Sequence, residues 1–278
     1  MNARQASLYM IIAAALWGTH PTLIKLADWS TLGTAWARGL SCAGLLLVYL
    51  VYYRLFSLRS LKLQFFCGFF LALNSLLFVA ASQYTQAANA VVLMFVFPWI
   101  TIALDYVFNS RAPTKPELVR LCFGLCGIVL ILFGDFSEGG KLGNVFALLA
   151  GACIAFHIFF SQKLQVKHGS NHEVLTAMLF AWVLTSVVLL PSLFFGTSLG
   201  SGNGIYLLLF CVLSAVPWLL WGRSIAYIPG HVVAALLGVE VLVAALCAYL
   251  TLGESLSAPM IAGGAIVLAT ASLQVYAK

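Results

Sequence analysis

Apolar stretches of about twenty residues recur from one end of this chain to the other. They fall at approximately residues 8–27, 34–53, 63–82, 86–108, 117–134, 142–162, 174–195, 204–226, 231–252 and 257–276. Each is long enough, as a helix, to cross a hydrocarbon layer about 30 Å thick. Inside such a layer every backbone N–H and C=O must be bonded within its own segment, and continuous apolar runs of this length meet that demand as helices. Only 8% of the residues are charged, where a soluble domain carries about a quarter. The expected fold is therefore an all-α polytopic membrane protein of ten transmembrane helices, with no length left for a soluble domain. The first run carries Trp17, His20, Pro21 and Lys25 in place of a cleavage site, so it is read as helix one and not as a signal peptide.

One of these stretches is written twice. Tyr84–Arg111 reads YTQAANAVVLMFVFPWITIALDYVFNSR and Tyr227–Glu254 reads YIPGHVVAALLGVEVLVAALCAYLTLGE. Tyr84 and Tyr227, Leu93 and Leu236, Val96 and Val239, and Tyr106 and Tyr249 stand in register at a constant spacing of about half the chain. A duplicated apolar half points to a carrier built from two repeats around a shared site. The expected division is residues 1–137 for the first five-helix repeat and 138–278 for the second, joined through the polar, Gly-rich stretch 135–144. Five is odd, so the second repeat enters the membrane inverted relative to the first. The copies differ where it matters most: Phe97 is the counterpart of Glu240, and Pro98 of Val241.

The net charge of +6 orients the chain and does not recruit nucleic acid. With ten alternating crossings, Arg4, Arg54, Arg59, Lys62, Arg111, Lys115, Arg120, Lys163, Lys167 and Lys278 share one side, and Lys141 falls in a loop on the other. By the positive-inside bias the crowded side, with both termini, is cytoplasmic. Lys25 and Arg38 lie near outer helix ends beside Asp28 and are expected to form a solvated interface cluster. The seven cysteines lie inside the apolar runs, and Cys122 and Cys126 are one turn apart, so buried packing thiols are expected rather than a disulfide framework.

Ionisable and polar groups at membrane depth are the candidate functional residues, because each is costly there unless it faces the bundle interior. Glu240 is the sharpest, near the middle of the ninth run; it is read as a contact for a substrate amine or as a proton carrier, against the plainer reading of a neutral interhelical carboxyl. Trp17 and His20 share one face of helix one, just before Pro21. His157, the amides Asn74 and Asn89, and the pair Trp218 and Trp221 complete the expected substrate path, each also open to a packing reading. Pro21, Pro98 and Pro217 lie away from the ends of their runs and free backbone carbonyls there. Asp105 and Arg223 lie at similar depth near the inner side and are expected to form a cytoplasmic gate.

Other chemistries lack their parts. Gly196–Gly200 matches a G-x-S-x-G string without the strand and helix it requires. His168, His172 and Glu173 have metal-ligand spacing, but in a polar connector spanning 165–173, so no metal is expected. No phosphate-binding glycine loop occurs, and no cofactor is expected.

AAALWGTHPTLIKLA in the first run resembles the "LWG…K" opening of the drug/metabolite transporter superfamily, in its EamA-type ten-helix members. YTQAANAVVLMFVFPWITIALDYVF resembles that family's Pro-containing fourth helix, and YIPGHVVAALLGVEVLVAALCAYLTLGESLS its ninth helix with the following "LGE". The likeness runs over nearly the whole chain. It departs at Asn109-Ser110-Arg111, where the family has "GE", and at Val241, where many members have Pro. The resemblance implies a bacterial inner-membrane carrier with cytoplasmic termini and a cavity lined by helices one, three, four, six, eight and nine. The expected function is secondary transport of a small metabolite by alternating access, foremost export of an amino acid or related compound. Import of a nucleoside or nucleotide-like cofactor is the second reading, and a membrane enzyme or a channel the remote ones. The expected partners are the substrate and the lipid bilayer, with proton coupling as an option at Glu240; no oligomeric state is specified by the sequence.

Overall fold

Two helices of this chain start at a polar side-chain cap, and two of the expected ones break where proline removes a backbone donor. The computed structural model describes residues 3–109, 114–134, 138–193, 202–227, 230–254 and 257–273. Its first half holds α1 (Ala3–Gly18), α2 (His20–Ala27), α3 (Thr31–Tyr52), α4 (Leu61–Tyr84), α5 (Ala87–Met94), α6 (Phe97–Asn109) and α7 (Lys115–Gly134). Its second half holds α8 (Glu138–His168), α9 (His172–Leu189), α10 (Gly204–Ser224), α11 (Gly230–Cys247) and α12 (Ala258–Leu273). Regular structure is entirely helical among the described residues. Seven stretches are long and apolar enough to cross a membrane: Arg4–Ala27, Thr31–Tyr52, Leu61–Tyr84, Ala87–Asn109, Gly140–His168, His172–Leu189 and Gly204–Ser224; Leu236–Leu252 is a shorter apolar helix. Ten crossings of that length are not met among the described residues.

Two of the expected helices are broken. Pro21 has no N–H for the Trp17 carbonyl, and the chain leaves α1 at Thr19, whose N–H and hydroxyl both turn back to the Leu16 carbonyl (3.2 and 2.7 Å). Pro98 acts likewise on the Met94 carbonyl, and α5 and α6 part at Phe95–Val96. Pro217 sits inside an unbroken α10. α11 runs through Glu240 and Val241 without interruption, as a helix lacking the proline should, and then widens into a π-helical turn at Ala248–Leu252. Gly253 stops it with φ 65°, a left-handed conformation that glycine takes without strain.

Several boundaries differ from the sequence reading. α3 begins at Thr31 because Ser30 caps it, its side chain accepting the Gly33 N–H at 3.1 Å. α8 is much longer than residues 142–162 and takes in part of both flanking polar stretches, so residues 169–171 alone separate it from α9. Residues 135–137 and most of 196–204 lie outside the described residues.

The molecule is turned inside out relative to a soluble protein. Val48, Leu208, Leu242 and Leu250 are exposed, while His20, Arg38, Gln64, Asn74, Asn89, His157 and Glu240 are buried. That distribution suits a chain whose solvent is lipid. The thiols divide: Cys42, Cys67 and Cys153 are buried as expected, whereas Cys122 and Cys126 are exposed on α7.

Packing partners fix where the buried polar residues meet. α4 lies along α8 and also against α9; α10 lies along α1 and α2 and also against α3. α1 packs on α11, and α5 and α6 pack on α8; α3 pairs with α9, and α7 with α12. The α1–α11 contact depends on Gly18. A Cβ there would stand 2.6 Å from Val243 Cβ and 2.7 Å from the Glu240 carbonyl oxygen. Gly18→Ala is therefore expected to destabilise the protein by about 1–3 kcal/mol through overpacking, read as a lowered thermal unfolding midpoint in detergent. A midpoint equal to wild type would mean that α1 and α11 do not pack this closely.

Candidate functional site

Six of the residues singled out from sequence meet around one interior cavity of about 40 Å³: Trp17, His20, Asn74, Trp218, Trp221 and Glu240. At about 10–15 Å³ per water-sized group, this space holds only a compact occupant. Phe97 lines it as well, so Phe97 and Glu240, counterparts in the doubled stretch of sequence, border the same space. The breaks explain part of this convergence. Trp17 and His20 flank the interruption of helix one, and Met94 and Phe97 flank that of helix four.

One wall is aromatic. Trp17 stands 4.8 Å from Trp218 and 5.7 Å from Trp221 between ring centroids, both tilted, and Trp182 backs Trp218 at 5.4 Å. The indole N–H groups of Trp17, Trp182, Trp218 and Trp221 have no hydrogen-bond partner among the described residues. His20 shares a 3.4 Å contact between Nε2 and the Ser214 hydroxyl, and its Nδ1 is unpartnered. Asn74 donates to the Ala150 carbonyl at 3.0 Å, tying α4 to α8 beside the cavity.

The other expected path residues lie elsewhere. His157 stands behind the wall, edge-on to Trp218 at 6.2 Å, with Nδ1 3.0 Å from the Cys67 carbonyl. Asn89 is buried in α5 outside the cavity lining. Asp105 accepts a hydrogen bond from Asn109 at 2.9 Å, while the Arg223 guanidinium lies over Tyr9 and Tyr49 at 5.8 and 5.9 Å. The expected Asp105–Arg223 ion pair is not formed in this conformation. Glu173 and His168 are held by serines: Glu173 accepts from Ser57 and Ser170 (2.8 and 2.6 Å), and His168 meets Ser60 at 2.7 Å.

Arg38 corrects the sequence reading. It was expected at a solvated helix end, yet it is 3% exposed and lines the cavity. Because α3 starts at Thr31, Arg38 stands two turns inside the helix, where its charge has to point inward. The guanidinium is ringed by Phe78, Trp182 and Phe210 at 5.6, 5.6 and 5.8 Å, a cage suited to a cation. Its Nε and Nη1 have no hydrogen-bond partner among the described residues.

Lys25 opens onto a vestibule with Asp28, but its ion partner is Glu254. Its Nζ meets Glu254 Oε1 at 2.5 Å, and the other carboxylate oxygen accepts the Ala87 N–H at 2.9 Å, at the start of α5. The π-helical turn and Gly253 aim Glu254 back into the bundle. This carboxylate joins three elements far apart in sequence. Along α2, His20 lines the cavity, while Lys25 lines a separate vestibule of about 730 Å³ with Asp28, Trp29 and Gln83.

Two stretches that together cover nearly the whole chain, residues 4–133 and 141–276, match the EamA-like transporter family. The chain belongs to the EamA-like transporter family. It is 28% identical over 197 residues to an uncharacterised transporter of Archaeoglobus fulgidus, covering 69% of this chain and 68% of that one. It is 28% identical over 233 residues to the threonine/homoserine exporter RhtA of Escherichia coli, covering 81% of this chain and 76% of the relative. A solved crystal structure shares the fold at a TM-score of 0.69 with 12% identity, over 99% of this chain and 98% of that one. As an EamA-like transporter, the protein is a multi-pass membrane carrier of a small molecule and not an enzyme. The Lys of the "LWG…K" stretch and the Glu of "LGE", which in this chain are Lys25 and Glu254, are the two partners of its ion pair.

Proposed function

We propose that this EamA-like transporter carries an amino acid or closely related compound outward across the bacterial inner membrane by alternating access. The observation that carries the reading is the buried cavity at the junction of the two halves, walled by Trp17 from one half and by Trp218, Trp221 and Glu240 from the other. A site shared between halves is what rocking about a midplane needs. The substrate class draws on the threonine/homoserine exporter among the relatives.

The architecture we propose is ten crossings in two inverted five-helix repeats, residues 1–137 and 138–278, with both termini cytoplasmic. Two observations support it. The family matches two successive stretches of similar length. The packing partners are also preserved when the halves are exchanged: α4 on α8 and α9 corresponds to α10 on α1, α2 and α3, and α1 on α11 corresponds to α5 and α6 on α8. In this frame the Lys25–Glu254 pair is a latch between the outer vestibule and the cavity. Asp105 and Arg223 would approach one another when the opposite, cytoplasmic end closes. Glu240 serves either a substrate amine or a proton.

Purified protein in proteoliposomes is expected to show counterflow: internal L-threonine or L-homoserine should accelerate entry of the labelled compound. Passive conductance without counterflow would instead favour a channel. Counterflow restricted to nucleosides or cofactors would move the assignment to the importer reading.

A further inference from the structure

A buried cation and a buried carboxylate share the central cavity without touching. The guanidinium of Arg38 is a permanent cation, and its Nε and Nη1 have no hydrogen-bond partner among the described residues. Lys25–Glu254 is the one ion pair within 4 Å among the described residues, so Glu240 does not meet Arg38 directly. Glu240 is 4% exposed and lines the same cavity as Arg38. Leaving two opposite charges buried and separate is costly unless something bonds both of them.

A simple anion placed there would satisfy Arg38 and be repelled by Glu240, and a simple cation would meet the reverse. A ligand with both charges a few bonds apart satisfies the two together. We propose that the cavity binds the zwitterionic head of an α-amino acid, with Arg38 holding the carboxylate and Glu240 the ammonium. This rests on the carrier reading above and assigns the chemistry within its site. Arg38 suits the task because a guanidinium carries several donors in one plane for a carboxylate. Glu240 shares the cavity with Trp17 and Trp221, residue types that favour an ammonium. At about 40 Å³ the space is smaller than such a ligand, so the halves have to part to admit it. Arg38 lies on α3 in the first half and Glu240 on α11 in the second, so the bound head joins the two parts that must move together.

The test is a competition series in proteoliposomes of the full chain, using whichever of L-threonine, L-homoserine and the standard amino acids gives the largest counterflow. Its carboxamide lacks the carboxylate charge, and its N-acetyl derivative lacks the ammonium. Both are expected to compete about tenfold or more weakly than the parent, as loss of a charge-assisted bond predicts. In Arg38→Gln the penalty for the carboxamide should collapse while that for the N-acetyl compound remains, and in Glu240→Gln the reverse should hold. If the unaltered protein takes either derivative as well as the parent, the clamp is overturned without recourse to a variant. If the parent exchanges but Arg38→Gln keeps its full discrimination against the carboxamide, the clamp fails and the amino-acid reading stands. If no amino acid exchanges, both fail. Discrimination kept by Glu240→Gln, together with loss of the pH dependence of transport, would assign Glu240 to the proton instead.

Discussion

Counterflow by Glu254→Ala is expected to fall roughly 30- to 150-fold, with Glu254→Gln between it and wild type. The reasoning starts from what one carboxylate holds. Lys25 and Glu254 are 24% and 14% exposed, so the ion pair is partly screened and by itself contributes at most about 1 kcal/mol. The bond to the Ala87 N–H is worth more, because it is charge-assisted and sits at the positive end of α5. Loss of both amounts to about 2–3 kcal/mol, which at 1.4 kcal/mol per tenfold gives the stated range. Gln keeps an acceptor for Ala87 and loses the charge. The double exchange Lys25→Glu with Glu254→Lys restores the pair and leaves Ala87 without its acceptor, so only partial recovery is expected. Wild-type rates in Glu254→Ala would remove this latch from the transport cycle.

Trp218→Ala is expected to be the most damaging single change to stability, by about 3–5 kcal/mol. Trp218 touches Trp17, Trp182, Trp221 and His157, with centroids 4.8–6.3 Å away. Its removal leaves a hole between α1, α8, α9 and α10 that none of those helices can fill alone. The unfolding midpoint in detergent should drop well below that of Gly18→Ala, and an added substrate should no longer raise it. Trp218→Phe retains a ring and should recover part of both. An unchanged midpoint in Trp218→Ala would mean that the aromatic wall is not a packed unit.

Much of the site was legible because a bilayer penalises polar groups so heavily. A carboxylate such as Glu240, or an amide such as Asn74, has to face inward, and the prolines mark where backbone is left over. Those rules single out residues that the fold then gathers around one cavity. The mismatch between Phe97 and Glu240 carried further information, since both line that space.

The misses have specific causes. Arg38 was placed at a helix end because the apolar run begins at residue 34, whereas Ser30 caps a helix that starts at Thr31. Three residues of extra helix move a charge from the interface to the interior. The length of α8 was hidden by the same effect in its polar flanks. Asp105 and Arg223 were matched on expected depth alone, which says nothing about azimuth, and in this conformation the Arg223 guanidinium lies over Tyr9 and Tyr49.

What the sequence determined by itself was the solvent of this protein, its helical character and the helix breaks at Pro21 and Pro98. All of these follow from local chemistry: backbone bonding, proline, and the cost of charge in hydrocarbon. Only the tertiary structure decided which groups meet. Lys25 reaches Glu254 across 229 positions of chain, and Arg38 and Glu240 come to line one cavity through the packing of α3 on α10, α10 on α1 and α1 on α11. Such encounters depend on how helices rotate and close upon one another, through contacts like Gly18 against α11, and apolar periodicity does not encode that rotation.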